Sequence, residues 1–126
     1  MSGSEKSPRT LDAASIEAFI HSQVHHWNAG DKDGFLGAYR KVAPNGLQIE
    51  YVGRPVAADG WPVLEGMWAQ QSAKIEIDEV LIVVNGNEAA CHNRNKVRGT
   101  AMVIETIELY RFDQGRLAVR YFIAQP

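Results

Sequence analysis

Gly99–Phe112, GTAMVIETIELYRF, holds the longest two-residue alternation in the chain. From Met102 onward one face carries Met102, Ile104, Thr106, Glu108, Tyr110 and Phe112, and the other Val103, Glu105, Ile107, Leu109 and Arg111. Both faces are mostly apolar, which predicts a long central strand covered on two sides. Glu108 interrupts its face. Among such neighbours a carboxylate must find partners or take up a proton, unless it sits near enough to a strand end to reach water.

Outward from this stretch the chain punctuates itself. Downstream, Asp113-Gln114-Gly115 closes a hairpin and Leu117–Ala124 forms the last strand. Upstream, Lys74–Val84 and Ala89–Val97 read as strands joined at Asn85-Gly86, a strong two-residue hairpin signal. The first half is helical. Thr10 or Asp12 can cap a helix reaching about Asn28, with Ile16, Ile20, Gln23 and Trp27 at helical spacing, flanked by Phe19 and Val24. Asn28-Ala29-Gly30-Asp31 stops it and starts a second helix, Lys32 to about Arg40, burying Phe35, Leu36 and Tyr39. Leu47–Val52 is a first strand, Arg54–Gly60 a loop, and Pro62 opens a third helix to about Ser72. Its inward residues are Leu64, Met67, Trp68 and Gln71. Helices followed by an antiparallel meander predict one α+β domain over residues 11–126, the helices packed on one sheet face. The Ser-rich residues 1–10 are expected to be a disordered tail.

Composition narrows the function classes. A net charge of −2 and a pI near 6.1 leave no basic footprint for nucleic acid. The longest purely apolar run, Val80–Val84, is too short to span a membrane, and the N-terminus lacks the apolar core of a signal peptide. The lone Cys91 suits the reducing cytoplasm. His21 and His25 have the spacing of a helical metal pair, but both point away from the apolar stripe and have no evident third ligand. A solvated face is expected there, with no metal and no cofactor. No phosphate-binding glycine loop or nucleophile elbow is present.

The order of elements, with Asn28-Ala29-Gly30-Asp31, Asp33-Gly34, Asn87-Glu88-Ala89-Ala90 and Tyr110-Arg111-Phe112 before Gly115, resembles the nuclear transport factor 2-like superfamily. Within it the chain is most similar to the branch of the ketosteroid isomerases and SnoaL-like polyketide cyclases, over Asp12–Ala124. The resemblance implies a cone-shaped fold with three helices on a curved sheet. Matched by position, the isomerases' tyrosine donor falls on Gln23, their general-base aspartate near Tyr51, and their protonated aspartic acid on Glu108 (a carboxylic acid kept neutral by its apolar site). The epoxide hydrolases' Asp-Arg-Asp set is not matched: Arg94 is present, but Lys96 and Tyr121 stand where acids belong. The cyclases' His and Asp pair has no match either, as His92 is expected on the outward face.

The same matching directs Asn93, Asn95 and Val97 into the cone on the third strand, and Arg120 and Phe122 on the last. Arg120 about 4 Å from Glu108 would attract it by roughly 4 kcal/mol at an effective dielectric near 20, keeping it ionised. The expected catalytic set is therefore Glu108, Arg120 and Tyr51. Gln23, Trp27, Trp68, Asn93, Asn95, Tyr110 and Phe122 complete the expected ligand site. The ligand would be a small, largely apolar carbonyl- or carboxylate-bearing molecule, handled by an isomerase-, lyase- or cyclase-type enzyme with altered residues. The other reading is a non-catalytic association domain whose polar groups satisfy one another. Either way a homodimer is expected, through a convex sheet face bearing Ile107, Leu109, Leu117, Val119, Tyr121 and Ile123.

Overall fold

The computed structural model describes residues 11–125; the expected N-terminal tail lies outside them. Three helices, α1 (Ala13–Ala29), α2 (Lys32–Val42) and α3 (Trp61–Gln71), pack on one face of a five-stranded curved sheet. Its strands are β1 (Gly46–Tyr51), β2 (Ile75–Asn85), β3 (Glu88–Val97), β4 (Val103–Asp113) and β5 (Arg116–Ile123). The spatial order is β1-β5-β4-β3-β2, antiparallel except where β1 joins β5 in parallel. The stretch that decided the fold thus becomes the middle strand.

Local chemistry sets each boundary. Asp12 accepts the Ser15 N–H at 2.8 Å to start α1, and Gly30, at φ 72°, ends it with its own N–H on the His26 and Trp27 carbonyls. Asp31 then accepts the Gly34 N–H at 3.0 Å and starts α2. At the head of α3, Gly60 lies so close to β1 that a Cβ would stand 2.7 Å from the Leu47 carbonyl oxygen. Only glycine fits that approach. The core lies between helices and sheet: Ile16, Phe19, Ile20, Phe35, Leu36, Leu64, Phe112, Leu117 and Val119 are all buried there. An extra residue in β2 between Glu79 and Leu81 shifts its register with β3 and adds local bend to the sheet.

Two turns differ from the sequence reading, and one changes the site. Asn85 pairs with Glu88, so the β2–β3 hairpin turns on Gly86-Asn87, one residue later than expected. Asp113 pairs with Arg116, which leaves Gln114-Gly115 as a two-residue turn with both φ angles positive, 53° and 74°. That register places Leu117, Val119 and Tyr121 opposite Phe112, Tyr110 and Glu108, facing the helices. The expectation had the opposite phase. A slip of one residue exchanges the two faces of a strand, so Arg120 and Phe122 emerge outside the cone. The outer face of β4 is also less covered than expected, with Ile107 43% exposed.

Candidate functional site

Glu108 sits at the floor of the cone. One row of neighbouring residues crosses the inner face of the sheet: Ile82, Cys91, Glu108, Tyr121 and Tyr51, one from each strand. Strand alternation aims all five at the helices. Glu108 is buried, and three neighbours donate to it: Tyr110 Oη to Oε1 at 2.7 Å, Thr106 Oγ1 to Oε2 at 3.0 Å and Asn93 Nδ2 to Oε2 at 3.2 Å. The nearest expected cation is elsewhere. Arg120 Nε donates to Glu50 Oε1 at 2.9 Å on the outer face, and its guanidinium lies over the Phe122 ring at 5.1 Å.

That correction reverses the electrostatics. With Arg120 outside, burial dominates and pushes the Glu108 carboxyl above the usual carboxylate range. The three donors pull the other way, and the Glu79 charge adds to the rise. Asn93 Oδ1 has no partner among the described residues. A half-turn of its amide would let it accept from a protonated Glu108.

All four tyrosines of the chain surround this acid. Burial raises Tyr39, Tyr110 and Tyr121 well above a free phenol, and the Glu108 charge raises each further. Tyr39 Oη reaches Gln23 Oε1 at 3.4 Å and also neighbours the Tyr110 and Tyr121 hydroxyls. Tyr51 stacks on Tyr121 with ring centroids 5.5 Å apart and is raised too, by burial first. Protonated phenols donate; they do not act as bases near neutral pH.

Above Glu108 opens a cavity of about 710 Å³. Trp27, Phe35, Met67, Ile75, Ile77 and Ile104 supply apolar wall, while Gln23, Tyr39, Tyr51, Asn95, Thr106, Glu108 and Tyr121 bring polar atoms to its lining. Exposed Arg54, Gln70, Gln71 and Gln125 belong to the lining as well. The expected residues therefore divide. Gln23, Trp27, Tyr51, Asn95 and Glu108 line the cavity; Asn93 and Tyr110 lie behind it as hydrogen-bond partners of Glu108. Trp68 packs against Trp27 and Phe35, at ring-centroid distances of 5.4 Å and 5.2 Å, within the helix layer and off the lining. Arg120 and Phe122 leave the site. Asn95 is held by its own strand neighbour, its Nδ2 reaching Ile104 O at 2.9 Å and Thr106 Oγ1 at 3.0 Å.

Among the lining residues that escape the sequence reading, Tyr121, Tyr39 and Arg54 carry polar groups. The apolar alternation Leu117-Val119-Tyr121 against Arg116 and Arg120 already marks Tyr121 as inward. Tyr39 was read as core only. Nothing in the loop around Arg54 signals that its side chain borders a cavity.

Three helices folded over the concave face of this sheet, with a cavity closed at its floor by β3–β5, define the nuclear transport factor 2-like fold. Among solved structures, the chain is similar to a candidate SnoaL-like polyketide cyclase from Jannaschia sp. CCS1 (TM-score 0.70, 12% identity, 96% of this chain and 91% of that one). It is similar as well to a nuclear transport factor 2-like protein of unknown function from Cytophaga hutchinsonii (TM-score 0.63, 16% identity, 86% and 99%). An epoxide hydrolase-like protein from M. tuberculosis shares the fold at a TM-score of 0.61 and 13% identity, over 88% and 84%. No family model matches the sequence, and no curated protein matches it. Identities this low speak for the fold alone.

Proposed function

We propose that the cone binds a small, largely apolar molecule and holds its carbonyl oxygen against protonated Glu108. The observation that carries this reading is a buried acid at the floor of a cavity of about 710 Å³, with no cation beside it among the described residues to keep it charged. A neutral carboxylic acid donates one strong hydrogen bond, and Tyr51 offers a second donor from the same lining. Together they suit a carbonyl that gains negative charge, as in an enolate-like state. An isomerase-, lyase- or cyclase-type reaction would draw on that stabilisation. Among the described residues Glu108 is the one carboxyl in the lining, and none of them brings a histidine or cysteine to it. With Glu108 protonated and donating, any proton removed from the substrate must therefore pass to water. A cytoplasmic location belongs to the same reading, since the lone Cys91 has no partner for a disulfide. No described helix is long and apolar enough to cross a membrane.

One observation favours the non-catalytic alternative: Asn93, Thr106 and Tyr110 already saturate much of Glu108. Thermal shift with acetophenone, benzophenone and fluorenone separates the two. A ketone should stabilise the wild type and Glu108→Gln, which keeps a donor, and should lose affinity for Glu108→Leu by roughly tenfold, the loss for an unmade buried hydrogen bond. Equal stabilisation of all three proteins, or of none, would exclude Glu108 as the recognition group.

A further inference from the structure

Arg54 is the one cationic side chain in the cavity lining, and no carboxylate pairs with it among the described residues. We infer that the ligand is a monoanion, a keto acid, whose carboxylate is received by Arg54 while its carbonyl reaches the floor. This deepens the proposed function and rests on it.

The argument starts from the turn that follows β1. Val52 N–H donates to Tyr121 O at 3.0 Å, extending the pairing with β5, and Arg54 N–H donates back to Tyr51 O at 3.0 Å. These bonds fold Tyr51–Arg54 into a tight turn, with Gly53 at φ 96°. The turn fixes Arg54 immediately beside Tyr51, which lines the same cavity. Burial raises the Tyr51 phenol, and the nearby Arg54 charge pulls it down slightly.

The company Arg54 keeps defines the ligand. Every other described arginine or lysine lies outside the lining, and Arg120 and Arg94 are committed to Glu50 and Glu105. The other exposed lining residues of polar character are Gln70, Gln71 and Gln125, neutral groups that can donate to an anion without repelling it. One guanidinium neutralises one charge and presents a planar fork that matches a carboxylate. A phosphate, carrying nearly two charges, would call for more cations than this lining holds. At the other end, a neutral Glu108 does not repel an anion entering the cone, whereas an ionised one would. The lining thus holds an unpaired cation at its exposed edge, apolar wall and an acid at its floor, the groups that an apolar keto acid would meet.

Calorimetry with paired probes tests this: 3-benzoylpropanoic, 4-benzoylbenzoic and fluorenone-2-carboxylic acids, each beside its methyl ester. For the wild type the acid should bind roughly three- to tenfold more tightly than its ester, the worth of a charge-assisted hydrogen bond at a wet rim. Added salt should shrink that preference. Arg54→Met should abolish it, so that acid and ester bind equally, and Arg54→Lys should keep part of it. Arg54 is exposed, so an unaltered thermal unfolding curve will verify that both variants fold. If acid and ester bind the wild type equally while Glu108→Leu weakens both, the anion inference fails and the carbonyl-binding reading stands. If no acid or ester in the series binds, both are overturned.

Discussion

Glu108 takes up its proton more readily in the folded chain than an ordinary glutamic acid, whose reference value is 4.5. The sign of its contribution to stability follows by linkage. The stabilisation is fully present below the ordinary value and is lost as pH rises through the raised one. Exposed Asp31 and half-buried Glu105 are lowered, by the Gly34 N–H and by His92 respectively, so their contributions are lost as pH falls. Comparing wild type with Glu108→Gln cancels those shared effects. Urea unfolding from about pH 4 to about pH 9 should show the wild type losing stability relative to Glu108→Gln as pH increases. A difference that stays flat across that range means that Glu108 is ionised in the fold.

At the scale of elements, the C-terminal turn of α1 is fastened to an edge strand by side chains. Trp27 Nε1 donates to Ile75 O at 2.9 Å. Asn28 acts like a missing strand residue, donating to Ile77 O at 2.9 Å and accepting from Ile77 N at 2.8 Å. β2 is an outermost strand, so these ladder groups would otherwise lack a partner. Asn28→Ala should cost about 1–3 kcal/mol, the penalty for leaving partly buried backbone groups unpaired. The shift of the urea midpoint measures it, and a variant as stable as the wild type would mean that water replaces the amide. Hydrogen exchange ranks the elements themselves. Ile104–Tyr110, in the middle strand and paired on both sides from Thr106 onward, should hold the slowest amides, ahead of Phe19–Trp27 in α1.

Across the whole molecule, the sheet face turned away from the helices carries Leu81, Val83, Ile107 and Phe122, all at least 38% exposed, with Leu109 between them. We propose that a second copy of the chain covers it, since so much contiguous apolar surface is unusual on a monomer. The residues differ from those expected from sequence: Leu117, Val119 and Tyr121 are buried in the cone instead. Polar groups lie within the patch: His92 stands between Leu81 and Ile107 and, like Arg94, pairs with Glu105, while Arg120, opposite Leu109, pairs with Glu50. Light scattering at tens of micromolar, roughly the range for an interface of standard size, should report a dimer, and Leu109→Arg should give a monomer that still folds. A monomeric wild type at that concentration removes the proposal.

The sequence by itself determined the element order, the helix caps at Gly30 and Asp31, with Asp12 as one of two candidates for the first, the middle strand, and the inward face of β4. These rest on local rules: hydrogen bonding within a turn of helix, or alternation along one strand. Glu108 was legible for that reason, as the one acid on an otherwise inward face. What surrounds it was decided only by the tertiary structure. A two-residue turn at Gln114-Gly115 set the phase of β5, sending Tyr121 in and Arg120 out, and with that exchange Glu108 lost a cation and gained the environment of a neutral acid. Arg54 reached the cavity lining through a turn closed on β1 and β5, two strands far apart in the chain. Local preference fixes which way a side chain points from its own strand; which charges then meet depends on register between strands, where one residue of slip exchanges the faces.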